Sequence, residues 1–220
     1  MRTLLSGRVR LGLPDGAITD PGSPIVAGLT KFAARTSEVE LLVSCNQPTE
    51  VAKALAADEL DVAIATFPRP IPHLVHRPLY IEESGVFCGD RHPLFQRSDE
   101  RLLEEARHYP FATHAHWFGE DLRAMGIGKA HATVHQIEAV ATLILAGGHI
   151  GFLPIHYAQR WVDGGAMKRI GATEVTSACR FDVVTRRGMD TTPAVSAIIE
   201  DLFWRKGPAL EPENYQIPAG

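Results

Sequence analysis

The chain has 220 residues, 45% of them hydrophobic and 22% charged, with a formal net charge of −4. That length can bury a large core in one large domain or two small ones, and the composition is ordinary for a soluble globular protein. No apolar run approaches the roughly eighteen residues of a membrane span, and the scattered basic residues argue against a face that grips DNA phosphates, which needs clustered positive charge.

Residues 8–13 (RVRLGL) read as a strand, 25–34 as a helix with Ile25, Leu29 and Phe32 on one face, and 39–44 (VELLVS) as a second strand. NQPTEVAKALAADEL gives a helix with a clear start: Asn46 or Gln47 caps it, Pro48 lies in its first turn and Glu50 is near the free amides. The strand DVAIAT (61–66) follows, so the opening is a β-α-β-α-β run, which implies right-handed crossovers and a mainly parallel sheet. Three prolines in FPRPIPH (67–73) break regular structure. Residues 74–81 and 84–88 then look like one extended path interrupted at Glu82, Glu83 and Ser84.

A second α/β set comes next: a helix at 102–107, the strand PFATH, a helix near 118–125 and the strand HATVH. Ile137, Val140, Ala141 and Ile144 recur at helical spacing up to Leu145, and Gly147 and Gly148 can take the positive φ that closes a helix. Gly151 inside the apolar run 150–153 predicts a buried strand with a close neighbour. HYAQRWV reads as a helix, 167–170 and 180–185 as a strand pair, and 195–204 as a last amphipathic helix. Residues 207–220, with three prolines and no periodicity, read as a C-terminal tail.

Cys45, Cys88 and Cys179 lie far apart in apolar or strand-like segments, the pattern of buried reduced thiols instead of a disulfide framework. MRTLLSGRVRLGL has no apolar core followed by a small-residue cleavage site, so a secretory signal is not expected and a cytoplasmic home is the default. No Gly-x-Ser-x-Gly, His-Glu-x-x-His or phosphate-binding glycine loop occurs, so the chain is not expected to be an enzyme.

Four stretches, in order, resemble the effector-binding domain of LysR-type transcriptional regulators: SGRVRLGLPDG, EVAKALAADELDVAIAT, GDRHPLF (89–95) and LILAGGHIGFLP (143–154). The last departs from the usual Gly-x-Gly pattern with Gly147-Gly148-His149. The resemblance implies a type 2 periplasmic binding protein fold: two Rossmann-like α/β subdomains joined by two crossover strands, with a small effector in the cleft between them. Subdomain I would comprise residues 1–82 and 180–206, and subdomain II residues 83–179. Family members also carry an N-terminal winged helix-turn-helix and form homodimers or homotetramers. This chain reaches its first strand by residue 8, so a regulatory fragment is expected, one that meets promoter DNA only through that missing domain. A stand-alone solute-binding protein of the same fold, a metal sensor and an enzyme are the competing readings.

Ligands of such sheets sit beyond the carboxyl ends of strands, where free amides at helix starts favour an anion, a carboxylate above all. The candidate effector-binding residues there are Asp15 and Thr19 after the first strand; Asn46, Gln47 and Thr49 at the second helix; and Thr66 and Phe67 after the third strand. Thr113, His114, Trp117, His135 and Gln136 are their counterparts in the second set. Ordinary turn and capping roles compete for Asp15, Asn46, Gln47 and Thr49. Asp15 opposes a purely anionic effector, which favours an amphoteric or hydroxylated one. The chain has ten histidines. His114, His116, His131 and His135 fall in two loops that the fold could bring together, but His131 and His135 lie on a strand, so their spacing does not place them on one helical face. No metal or other cofactor is expected.

Overall fold

Val9 and Leu11 alternate with Arg8 and Arg10, and this period of two makes Gly7–Leu13 a strand, β1, whose Val9 and Leu11 side chains are fully buried. The computed structural model describes residues 5–98, 101–115, 119–171, 175–189 and 192–204. In it β1 lies between two parallel neighbours, β2 (Val39–Cys45) and β3 (Val62–Ala65). Helices α1 (Ile25–Arg35) and α2 (Pro48–Ala56) make the crossovers. The α2 start follows its sequence: Pro48 opens the helix, and Glu50 Oε2 accepts from the Gln47 N–H at 3.1 Å. Helix α7 (Pro193–Leu202) returns to pack on α1. A Cβ on Gly28 would lie 2.8 Å from Leu202 Cα, so this close crossing requires glycine.

The other half repeats the scheme. Strand β5 (Phe111–His114) runs parallel to β6 (Ala132–Val134) and β7 (Ile150–Pro154), and α3 (Leu102–Ala106), α4 (Glu120–Met125), α5 (Ile137–Leu145) and α6 (Ile155–Asp163) cover the strands. Gly147, alone of the glycine pair, takes a positive φ of 82°. A Cβ on Gly151 would come within 2.6 Å of Ala112 O, the close neighbour that the sequence implies.

Two long antiparallel strands connect the halves: β4 (Leu74–Gly89) and β9 (Thr176–Arg186), paired from Leu74 opposite Arg186 to Gly85 opposite Thr176. The expected break at Glu82 to Ser84 does not occur. The strand passes straight through, and its irregularity lies between Pro78 and Tyr80, where proline has no N–H for the ladder. Among the described residues the sheet has nine strands, in the order β2-β1-β3-β9-β4-β7-β5-β6, with β8 (Met167–Ile170) beside β4. Separate apolar clusters fill the two ends, one around Val9, Ile64, Phe181 and Ile198 and another around Val86, Phe111, Met125 and Phe152. The residues expected to form the C-terminal tail lie outside the described residues. Among the described residues no helix is long and apolar enough to cross a membrane.

Candidate functional site

Three turns meet where the carboxyl ends of β1, β2 and β6 face one another. The β1 turn carries Asp15 and Gly16, and Gly16 has a φ of 74° that a side chain with a Cβ resists. Its Cα packs so closely on the other half that a Cβ would sit 3.3 Å from Ile137 Cγ2 and 3.5 Å from Tyr157 Cδ2. Asp15 thereby reaches across: its Oδ2 accepts from the Ile137 N–H at 2.7 Å, one of the free amides at the start of α5. His114 Nε2 is 3.9 Å from the same oxygen. Alongside, the Gln47 side-chain amide donates to His135 O, a second bond between the halves.

Around these two latches lies a cleft of about 310 Å³ lined by Asp15, Cys45, Asn46, Gln47, Glu50, His135, Gln136 and Ala139. The lining holds two carboxylates and one histidine, with no lysine or arginine. Both helix starts that open onto it already have an acid from the chain itself, Asp15 on α5 and Glu50 on α2.

The structure therefore brings Asp15, Asn46, Gln47, His135 and Gln136 together, with His114 at the edge. It disperses the other expected residues. Thr49 and Phe67 line a separate, mostly apolar groove of about 510 Å³ on the outer side of α2. Thr66 accepts a hydrogen bond from Cys179 Sγ at 2.9 Å. The Thr113 hydroxyl donates to buried Asp121, whose carboxyl is pushed up by burial and pulled back by that bond. Trp117 and His116 lie outside the described residues. Cys45 is a correction, since it is exposed and lines the cleft instead of being buried as expected. Cys45, Glu50 and Ala139 join the lining without having been among the expected effector-binding residues; in the sequence Cys45 reads as a strand thiol, Glu50 as a helix-start acid and Ala139 as an ordinary helix residue.

Thr19 turns toward a second polar cluster at the hinge, one that sequence spacing could not reveal. Its hydroxyl lies 2.9 Å from His156 Nδ1, at the start of α6, and His156 Nε2 lies 3.0 Å from Glu82 Oε1 on β4. Burial holds the Glu82 carboxyl above its ordinary range; His156 draws it down, while Asp20 and Asp15 push it further up. Burial also pushes the Cys179 thiol in the paired strand up to about 12, so it remains an unreactive thiol. His131 plays no part here, because its Nδ1 accepts from the Phe111 N–H at 3.2 Å.

Residues 2–203 match the protein family described as LysR substrate binding domain. The HTH-type transcriptional activator BauR of Pseudomonas aeruginosa is 26% identical over 192 residues, which is 84% of this chain and 61% of that protein. This chain thus spans less than two thirds of that relative's length. Among solved structures, the effector binding domain of QuiR in complex with shikimate aligns with a TM-score of 0.72 at 15% identity, covering 90% of this chain and 96% of that one. The cofactor-binding domain of the Cbl transcriptional regulator aligns with a TM-score of 0.72 at 19% identity, covering 92% and 90%. These likenesses establish the fold, that of the effector-binding domains of LysR-type regulators.

Proposed function

Because the chain belongs to the LysR substrate binding domain family, we propose that it senses a small polar effector in the cleft between the β1, β2 and β6 turns. The observation that carries this reading is the cleft's chemistry: Asp15 and Glu50 beside the amides of Asn46, Gln47 and Gln136 and the imidazole of His135, with no lysine or arginine among its lining. Such a lining suits a ligand that donates hydrogen bonds, through hydroxyls or an ammonium group, and places little value on a bare anion. A carboxylate on the same ligand gains the α5 amide by displacing Asp15 from Ile137 N. The ligand thus exchanges an internal latch for its own contacts, and the angle between the halves shifts with it.

In this reading residues 1–82 with 180–206 and residues 83–179 move as two subdomains about β4 and β9. The whole protein is a cytoplasmic transcription regulator that meets DNA through an N-terminal helix-turn-helix, and the domain is a sensor with no catalytic role. A second copy of the chain pairs along β2 and α1. This is supported by the exposure of Leu42 (43%) and Val43 (51%) on the edge strand and Val26 (55%) on the helix.

The test is a thermal-shift panel of amino acids, hydroxy acids, polyols and simple carboxylates, read against Asn46→Ala and Gln136→Ala. A ligand at about a hundred times its dissociation constant adds about 2.7 kcal/mol of stability. Stabilisation by amino or hydroxy acids that either substitution abolishes supports the reading. Stabilisation by simple carboxylates alone, or by ligands indifferent to both substitutions, refutes it.

A further inference from the structure

Among the described residues the histidines weighed for metal in the sequence, His114, His131 and His135, enter no group of three potential ligands, but His156 does. Its Nε2 lies 3.0 Å from Glu82 Oε1 and 3.8 Å from Asp20 Oδ2, and the three ligand atoms all lie within 4.8 Å of one another. The side chains are well shielded, 11% exposed for His156, 6% for Glu82 and 10% for Asp20.

Hydrogen-bond valence shows what this cluster lacks. The Thr19 hydroxyl donates to Gly16 O at 3.1 Å, so with its single hydrogen committed it accepts from the His156 Nδ1–H at 2.9 Å. Nε2 then faces two carboxylates, Glu82 at 3.0 Å and Asp20 at 3.8 Å. A single proton on Nε2 serves the Glu82 oxygen and leaves Asp20 beyond hydrogen-bond distance, whereas a metal ion between the three serves all of them, and a ring fixed through its other nitrogen is how metal-ligating histidines are held. Among the described residues no lysine or arginine forms an ion pair with Glu82 or Asp20.

Distance selects the cation. Ligand atoms about 2.0–2.2 Å from a tetrahedral metal lie about 3.4 Å from one another; the two separations from His156 Nε2, 3.0 and 3.8 Å, bracket that value, and the two carboxylate oxygens lie within 4.8 Å of each other. An ammonium group with contacts of about 2.8 Å would hold its acceptors about 4.6 Å apart. A separate observation points to the same place. Ser84 stands two residues from Glu82 on the same face of β4, and its hydroxyl is buried without a hydrogen-bond partner among the described residues. A buried hydroxyl so placed marks a missing polar occupant.

We propose that Asp20, Glu82 and His156 bind a divalent transition metal ion of the zinc type, with Thr19 as the residue that orients His156. One ligand comes from the β1 turn, one from the hinge strand and one from α6, so the ion fastens the two halves together at the hinge. The site is distinct from the effector cleft and stands whether or not the reading of that cleft holds.

The test uses the whole chain, stripped with a chelator and dialysed against Zn2+ with Mg2+ in excess, with bound metal then measured. One ion per chain is expected, lost in His156→Gln and in Asp20→Asn and kept in His108→Gln, an exposed histidine elsewhere. Co2+ in its place should give the intense visible absorption of a four-coordinate site. Thr19→Val should weaken binding about 10–100-fold, and Thr19→Ser should restore it. Circular dichroism checks that each variant folds; should one fail, the other ligand variant carries the test. Failure to retain an ion, or retention unchanged in folded His156→Gln or Asp20→Asn, overturns the proposal.

Discussion

Replacing Asp15 with alanine removes the carboxylate that Ile137 N–H meets at 2.7 Å and leaves Glu138 as the acid in the first turn of α5. A side-chain cap at a helix start is worth about 1 kcal/mol, with a range of about 0.5–2. A carboxylate on the positive end of the helix adds about 0.3–1 kcal/mol when solvent reaches it. Asp15 keeps 34% of its side chain exposed, so the loss should fall in the lower part of that combined range, about 1–1.5 kcal/mol. For a chain of this size each kcal/mol moves the melting temperature by about 2–4 °C, so Asp15→Ala should melt about 2–6 °C lower. Asp15→Asn keeps an acceptor and loses the charge, and should cost about 0.5 kcal/mol. Urea denaturation and thermal melts at neutral pH measure both. Acetate supplies the missing carboxylate, and at a concentration equal to its dissociation constant it should return about 0.4 kcal/mol to Asp15→Ala and nothing to the parent chain. If Asp15→Ala is as stable as the parent, or acetate helps both alike, Asp15 does not hold α5 in this way.

Further outcomes test other parts of the structure. His76 Nε2 accepts from the Ile71 N–H at 3.0 Å while Nδ1 faces Asp182 at 3.4 Å; burial lowers its pKa against the raising pull of Asp182. With the folded value below the unfolded value of about 6.5, its contribution is full above that pH and lost as pH falls through the folded value. The urea midpoint should therefore drop between about pH 7.5 and 5.5, less so in His76→Gln; equal slopes would count against this account. Gly151→Ala forces a Cβ to 2.6 Å from Ala112 O and should cost about 1–3 kcal/mol in denaturant titrations. Val43→Glu on the exposed edge strand should shift the chain toward monomer in sedimentation, with stability nearly unchanged.

Local chemistry made much of the fold legible. The limits of α5 follow from its apolar period and the glycines behind it, and the α2 start follows from Gln47, Pro48 and Glu50. The β-α alternation and the family stretches carried the two-part architecture. Where long-range contacts decide, the sequence was silent. Glu82, Glu83 and Ser84 look like a break because polar residues seldom run through a buried strand, but Glu82 meets His156 from 74 positions away. Thr19 and His156 are 137 positions apart, and no periodicity encodes such a pair. For the same reason Thr49 and Asn46, neighbours at one helix start, turn out to line different hollows.

The ladder between β4 and β9 runs without a gap in pairing from Gly85–Thr176 to Tyr80–Phe181, and it spans the junction of the two halves. A two-stranded ribbon of this kind resists stretching and in-plane bending far more than it resists twist, because twist leaves its cross-strand hydrogen bonds near their preferred length. Rotation of one half against the other must therefore appear as torsion of this ribbon, and the irregular step at Pro78 to Tyr80 is where its stiffness is lowest. Under the proposed reading, a ligand bound on the cleft side works against a torsion bar and not against a loose joint, and its binding energy goes into a rotation about the axis of this ribbon.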